Sequence, residues 1–404
     1  MKIVHIQQYF NENLGYQENL LPYYQKKMGH EVVVITSTRS DGFNNDSRIK
    51  KDGEFSENGF RVLRINIKGE FKKRFVFFED LYKYLEQEKP DYLFHHSVTS
   101  PSLLIASKYK KNNPHCFLAV DNHADLNISG RSLAWKLLYY NFLWKNIIRK
   151  CDEQIDIYFG VTPSRCLFLK EELGVSEEKI KLLPIGADVD HAKINLSKDE
   201  LFNKLELDKD SMIIVHGGKI TPEKEIYKIL KAFKRIDNSR IRLILFGKID
   251  DQKVAKILNE DSRIKYVGWL NRDETLALLR YSDIGIWNTQ HTTLLEDCIA
   301  VGLPMIIRYY GSTSHLINKS GLYLYNGSIR EIQDKLQLLI DNNELLNSFR
   351  KNANDHLQML SYDNIAYESV EYMKSLKSLK THAKLMSISF SDFTYSEFRR
   401  FIRK

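Results

Sequence analysis

Three short stretches hold the side chains whose type and spacing suit chemistry. In TTLLEDCIAVGLPMII, residues 292–307, one acidic pair, Glu296 and Asp297, sits inside an otherwise apolar run. If Thr293 caps a short helix, Glu296 falls three residues later, where a carboxylate reaches back to the cap N–H, and Gly302 and Pro304 close the helix off. On these residues alone a capping role and a ligand-binding role both stay open. In GGKITPEKE, residues 217–225, Thr221 suits a cap and Pro222 the first helical position, which places Glu223, Lys224 and Glu225 in the first turn. A cation there opposes the helix macrodipole. Either the flanking glutamates compensate Lys224, or Lys219, Lys224 and free backbone N–H groups together hold a phosphate. The stretch is neither a Walker loop nor a GxGxxG turn. In VDNHADLN, residues 120–127, His123 and Asp125 follow an apolar run. By itself such a histidine reads as an ordinary hydrogen-bonded loop residue.

The elements that position these stretches follow a steady rhythm. MKIVHI reads as a strand, NLLPYYQKKMGH as a helix stopped by Gly29, and EVVVITS as the next strand. FRVLRINI, YLFHHS and CFLAVDNH continue as strands, with FFEDLYKYLEQEKP and SLLIASKYKKNN as helices between them. That alternation is the sequence form of an open parallel sheet with helices on both faces. It restarts after a polar stretch near residues 188–209 with MIIVHGGKI, IRLILFGK, IKYVGWL, DIGIWNT, PMIIRYY and GLYLY. The expected architecture is α/β: two doubly wound, Rossmann-like domains, residues 1–195 and 196–361, facing a central cleft. A return helix and a basic, aromatic tail, residues 362–404, complete the chain.

Taken in order, the pieces resemble the family-4 glycosyltransferases of GT-B fold. GYQENLLPYYQKKMGHEVVVIT is similar to that family's opening glycine loop, helix and Gly-His-Glu-Val step. GGKITPEKE resembles its Gly-Arg-x4-Lys-Gly element, and LLEDCIAVGLPMI its Glu-Ala-x-Ala-x-Gly-x-Pro-Val-Ile element. The resemblance implies that Glu296 binds the ribose hydroxyls of a nucleotide sugar and that Lys219 and Lys224 neutralise its diphosphate. Gly218, Thr292, Thr293 and Leu294 would line the same donor site, Gly15 would let the backbone approach it, and His123, with Asp125 second, would be the catalytic candidate. It implies retention at the anomeric carbon, with no cofactor and no metal. Three positions depart from the pattern: Asn288 stands where the family has a sugar-contacting Glu, Lys219 replaces an Arg and loses its planar fork, and Glu225 replaces a Gly.

Composition narrows the partners. With 43% apolar and 28% charged residues in 404, the chain has the make-up of a globular protein. The opening residues lack a secretory apolar run and the four cysteines show no metal spacing, so the expectation is cytoplasmic. The net charge of +8 is concentrated at the end: from Lys374 to Lys404 there are eight basic residues against two acids, interleaved with phenylalanines. Together with FKKRFVFFEDLYKYL and SLAWKLLYYNFLWKNIIRK, read as helices, this suggests an anionic membrane surface on the inner face of the cell membrane. Nothing matches a nucleic-acid module. The expected partners are a nucleotide-diphosphate sugar and a glycan or lipid-linked acceptor. A sugar-nucleotide epimerase of the same architecture and a non-catalytic nucleotide-sugar-binding relative are the competing readings.

Overall fold

The computed structural model describes residues 1–40, 47–125, 132, 135–193 and 195–377. The chain forms two compact units, one from Met1–Ile185 with the segment beginning at Tyr362, the other from Gly186–Ser361.

The first unit contains strands β1 Lys2–Ile6, β2 Glu31–Ser37, β3 Gly53–Glu57, β4 Phe60–Ile65, β5 Ile67–Phe71, β6 Phe75–Phe78, β7 Tyr92–His95, β8 Phe117–Asn122, β9 Ile157–Gly160 and β10 Ile180–Leu182. Eight of them form a sheet in the order β10-β9-β8-β7-β1-β2-β4-β3, parallel throughout except for β3 against β4. The central strands are continuous apolar runs, Val32–Ile35 among them, because helices cover both faces. The order reverses about β1, which lies between β2 and β7, and residues following β7 and β8 therefore emerge beside a topological switch. The return helix Tyr362–Lys377 packs on the helix Gln17–Lys27, with Tyr24 and Tyr362 stacked at 5.5 Å and Gln25 bonded to Ser369.

The second unit is a six-stranded parallel sheet: β11 Met212–Gly217, β12 Ile241–Phe246, β13 Ile264–Tyr266, β14 Ile284–Trp287, β15 Met305–Arg308 and β16 Gly321–Leu324, in the order β13-β12-β11-β14-β15-β16. Its switch falls between β11 and β14. Both strand ends that carry sequence candidates, Gly217–Lys219 and Asn288, lie there. The α/β class with two doubly wound units expected from the alternation is what forms.

Two local expectations change. FKKRFVFF is not helical: it turns the β5–β6 hairpin, with Lys72 and Lys73 at φ of 52° and 50°. Phenylalanines alternating with Val76 suit a strand pair better than a helix, and a two-residue turn of left-handed backbone matches strand twist. Helical structure begins only at Leu81. The second change is at Pro222, where a single 3₁₀ turn, Pro222–Lys224, is broken by Glu225 and the α-helix starts at Ile226. The tail, residues 381–404, lies outside the described residues.

Candidate active site

In the second unit the three sequence elements meet at the switch. Gly218 has φ of +105°, a conformation other residues rarely adopt. A Cβ placed on it would lie 3.3 Å from Leu294 Cδ1 and 3.9 Å from Lys224 Nζ. The glycine loop, the Lys224 head and the start of the helix Leu294–Val301 therefore share one small volume. Lys224 is half-buried, and that burial pushes its pKa down; Glu223 opposes the effect and the Lys219 charge adds to it. Lys219 itself leans outward, mostly exposed, and pairs with Asp250 at 3.3 Å. Of the expected basic pair, only Lys224 is held at the meeting point.

Glu296 answers the question its sequence raises. It does not close a capping box, because Thr293 has helical backbone angles and makes no side-chain cap bond. Instead Glu296 Oε1 accepts from His291 Nε2 at 2.6 Å, and Oε2 is buried with no partner among the described residues. An unmet buried carboxylate oxygen costs about 1–3 kcal/mol or more, so a hydroxyl donor arriving there is favoured. Its neighbour Asp297 is occupied by Arg272 at 2.6 Å, which counters the upward push of burial on the Asp297 carboxyl. Gly302, left-handed at φ of 72°, ends the helix as expected. Thr292 and Leu294 are half-buried and Thr293 is exposed at the helix start.

Asn288 is buried and turned toward the β16 loop, its Nδ2 donating to the Gly327 carbonyl at 3.3 Å. A Cβ on Gly327 would fall 2.2 Å from Asn288 Oδ1 and 2.1 Å from Arg308 Nη1, so only glycine fits between them. At this departure from the family pattern, the amide fastens a loop inside the unit.

In the first unit, His123 stands just past β8 with its Nε2 3.2 Å from Asp121 Oδ2. Burial disfavours its charged form, but the Asp121 carboxylate outweighs this and raises its pKa. Asp125 is buried and ion-paired with Arg165 at 3.9 Å, and the Arg165 charge also opposes protonation of His123. Gly15 lies exposed on the loop after β1, and a Cβ there would meet nothing within 4 Å. Sequence reasoning missed Asp121 and His96, whose Nδ1 lies 2.9 Å from the same Asp121 oxygen. The paired histidines of YLFHHS, at the end of β7, were the available signal. His96, Asp121 and His123 place one potential metal-donor atom each within 4.8 Å of one another.

Comparisons with known proteins identify the family and the fold. The model for "Glycosyltransferase Family 4" matches residues 18–191, and that for "Glycosyl transferases group 1" matches residues 197–356. The chain is 23% identical over 357 residues to alpha-monoglucosyldiacylglycerol synthase of Acholeplasma laidlawii, covering 81% of this chain and 84% of that protein. It is 26% identical over 223 residues to chitobiosyldiphosphodolichol beta-mannosyltransferase of Candida glabrata, covering 48% and 47%. Among solved structures, a glycosyltransferase from Rickettsia africae matches with a TM-score of 0.67 at 15% identity, over 93% of this chain and 99% of that one. Anabaena Alr3699/HepE in complex with UDP matches with a TM-score of 0.68 at 14% identity, over 93% and 100%. Between them the two family models span the descending order of elements from the first helix to the last but one, and the chain belongs to the family-4 glycosyltransferases of GT-B fold.

Proposed function

We propose that this enzyme moves a sugar from a nucleoside-diphosphate donor to a hydroxyl of a glycan or lipid-linked acceptor, with retention and without a metal ion. One observation carries the reading: Gly218, Lys224 and Leu294 converge in the unit whose Glu296 keeps a bare, buried oxygen. A diphosphate would lie against Lys224 and the N–H groups at the start of the helix Leu294–Val301. Its ribose would give a hydroxyl proton to Glu296 Oε2. As the glycosidic bond breaks, charge gathers on the departing diphosphate, and a fixed cation with oriented N–H dipoles stabilises that charge. His123 is the group we assign to the sugar.

The acceptor side rests on a surface of the first unit. Trp135–Trp144 is π-helical and apolar on both faces. Tyr139, Tyr140 and Trp144 are buried, while Leu138 and Phe142 are 67% and 69% exposed. The β5–β6 hairpin joins this face through Phe75, stacked 6.0 Å from Trp144, and Arg74, 5.0 Å over Trp135. Phe71 and Phe77 are exposed as well, as are Lys72, Lys73, Arg149 and Lys150 on the same two segments, where the acid Glu70 of β5 is taken up by Arg48 and Arg39. A basic rim around apolar side chains suits an anionic lipid surface. Among the described residues no helix is long and apolar enough to cross a membrane.

Calorimetric titration with nucleotide sugars tests the donor reading. Lys224→Ala and Glu296→Ala should each weaken binding about tenfold or more, roughly 1.4 kcal/mol, with the thermal midpoint retained. Unchanged affinity in both variants would defeat the assignment. Release of an altered free sugar with no acceptor present would instead identify an epimerase.

A further inference from the structure

Glu296 has a use at hand before any ligand arrives. Three residues past Thr293, its carboxylate can fold back on the N–H groups that open the helix Leu294–Val301, which have no partner inside the helix. It is held away from them. His291, on the loop between β14 and that helix, brings Nε2 to 2.6 Å from Glu296 Oε1, with both side chains buried. A carboxylate only accepts, so Nε2 carries the hydrogen whatever the charge on the ring. A bond of this length to an ionised group belongs to the stronger class that side chains form. The turn itself is closed without Glu296: Leu295 N–H reaches the Thr292 carbonyl at 3.0 Å, and Asp297 N–H the Thr293 carbonyl at 3.3 Å. Arg272 fixes the Asp297 carboxyl from the start of the helix Arg272–Tyr281. Two things are thereby left for a ligand, the opening N–H groups and Glu296 Oε2, which is buried with no partner among the described residues. A pairing that served stability alone would not leave that oxygen bare, because an unmet buried acceptor is destabilising.

We propose that His291 is a positioning residue for the donor: it keeps Glu296 off the helix start and occupies one of its oxygens, so that recognition rests on one ribose hydroxyl and is nearly indifferent to the other. This rests on the reading of Glu296 as the group that meets the ribose. A carboxylate with both oxygens bare takes two neighbouring hydroxyls, one on each, and loses about as much when either is removed. Glu296 has a single place, and the hydroxyl that does not reach Oε2 finds no second oxygen waiting. Without the His291 donor, the carboxylate turns to the Thr293 N–H. The same movement withdraws Oε2 from the ribose and covers N–H groups that a diphosphate needs.

Calorimetric titration of the full chain with UDP, ADP and GDP, each beside its 2′-deoxy and 3′-deoxy form, reads the arrangement directly. For the nucleotide that binds tightest, one deoxy form should lose about tenfold or more in affinity and the other less than about twofold. His291→Leu should weaken the parent nucleotide about tenfold and erase the difference between its deoxy forms. His291→Gln, whose amide N–H extends about as far as Nε2, should restore both the affinity and the difference, which a side chain needed only for packing would not do. The deoxy comparison in the wild type needs no variant, so it decides the matter even where His291→Leu does not fold. Equal losses from the two deoxy forms, a His291→Leu protein that binds and discriminates as the wild type does, or a glutamine variant no better than the leucine one would overturn the proposal. If Glu296→Ala weakens binding while His291→Leu does not, only the role of His291 is refuted. If Glu296→Ala binds as tightly as the wild type, or the wild type binds none of the three nucleotides, the donor reading itself fails and this one with it.

Discussion

Lys224 and Glu296 are groups whose present state is incomplete: one is a half-buried cation whose charge desolvation disfavours, the other a carboxylate with one oxygen unmet. A diphosphate beside Lys224 would favour the ammonium and lift its depressed pKa. Binding should therefore take up protons as the pH rises into the lowered range in which the free enzyme's Lys224 titrates. Titration at about pH 9 in two buffers of different ionisation enthalpy measures that uptake, and proton release would contradict it. Both residues were legible in the sequence because their spacing belongs to one contiguous motif each. Asp121 and His96 were not, because a carboxylate and a histidine from adjacent strands become partners only through the register of β7 and β8. The capping box misled for a related reason: His291, five residues before Glu296, captures the oxygen that the cap would have used.

At the scale of elements, the departures from the family pattern acquire causes. Glu225 occupies the place of a family glycine and has φ of 52°, a left-handed backbone, between the 3₁₀ turn and the helix Ile226–Lys234. Left-handed backbone costs an ordinary residue about 1–2 kcal/mol, and the Glu225–Lys228 ion pair at 2.7 Å, partly exposed, returns only a fraction of that. Glu225→Gly should leave stability unchanged or raise it slightly, whereas Glu225→Val should lower it by about 1–2 kcal/mol. Urea denaturation of the three proteins checks the order. Strands were the most readable elements, since buried parallel strands advertise themselves as apolar runs. The β5–β6 hairpin was misread because its Phe-Lys-Lys-Arg-Phe spacing also fits a helix face, and its turn uses two lysines in place of the usual Asn-Gly.

For the molecule as a whole, the sequence showed two doubly wound halves because each repeats the same alternation. Where the chain passes between units was harder to read: Pro184 and Gly186 bracket the first passage, but the polar stretch at residues 188–209 drew the junction past them, and no proline or glycine stands beside Ser361 and Tyr362. The net charge of +8 and the basic rim about Leu138 and Phe142 bear on location. Sedimentation with vesicles rich in anionic lipid should carry the protein down at low salt and release much of it at about 0.5 M, where the screening length is only a few ångströms. Leu138→Glu with Phe142→Glu should abolish the association at either salt concentration; equal sedimentation of variant and wild type would dismiss the surface.

The pairing of Gln25 with Ser369, 344 residues apart, has a consequence for how the polypeptide is made. A ribosome delivers every strand of the first unit early, then the whole of Gly186–Ser361, and only afterwards the helix on which Tyr24, Gln25 and Tyr92 rest. The second unit is contiguous and free to finish first, while its predecessor waits with an uncovered flank. Translation that stalls before residue 362 would therefore release a product with a finished second unit and an unfinished first one, the kind of species that chaperones hold.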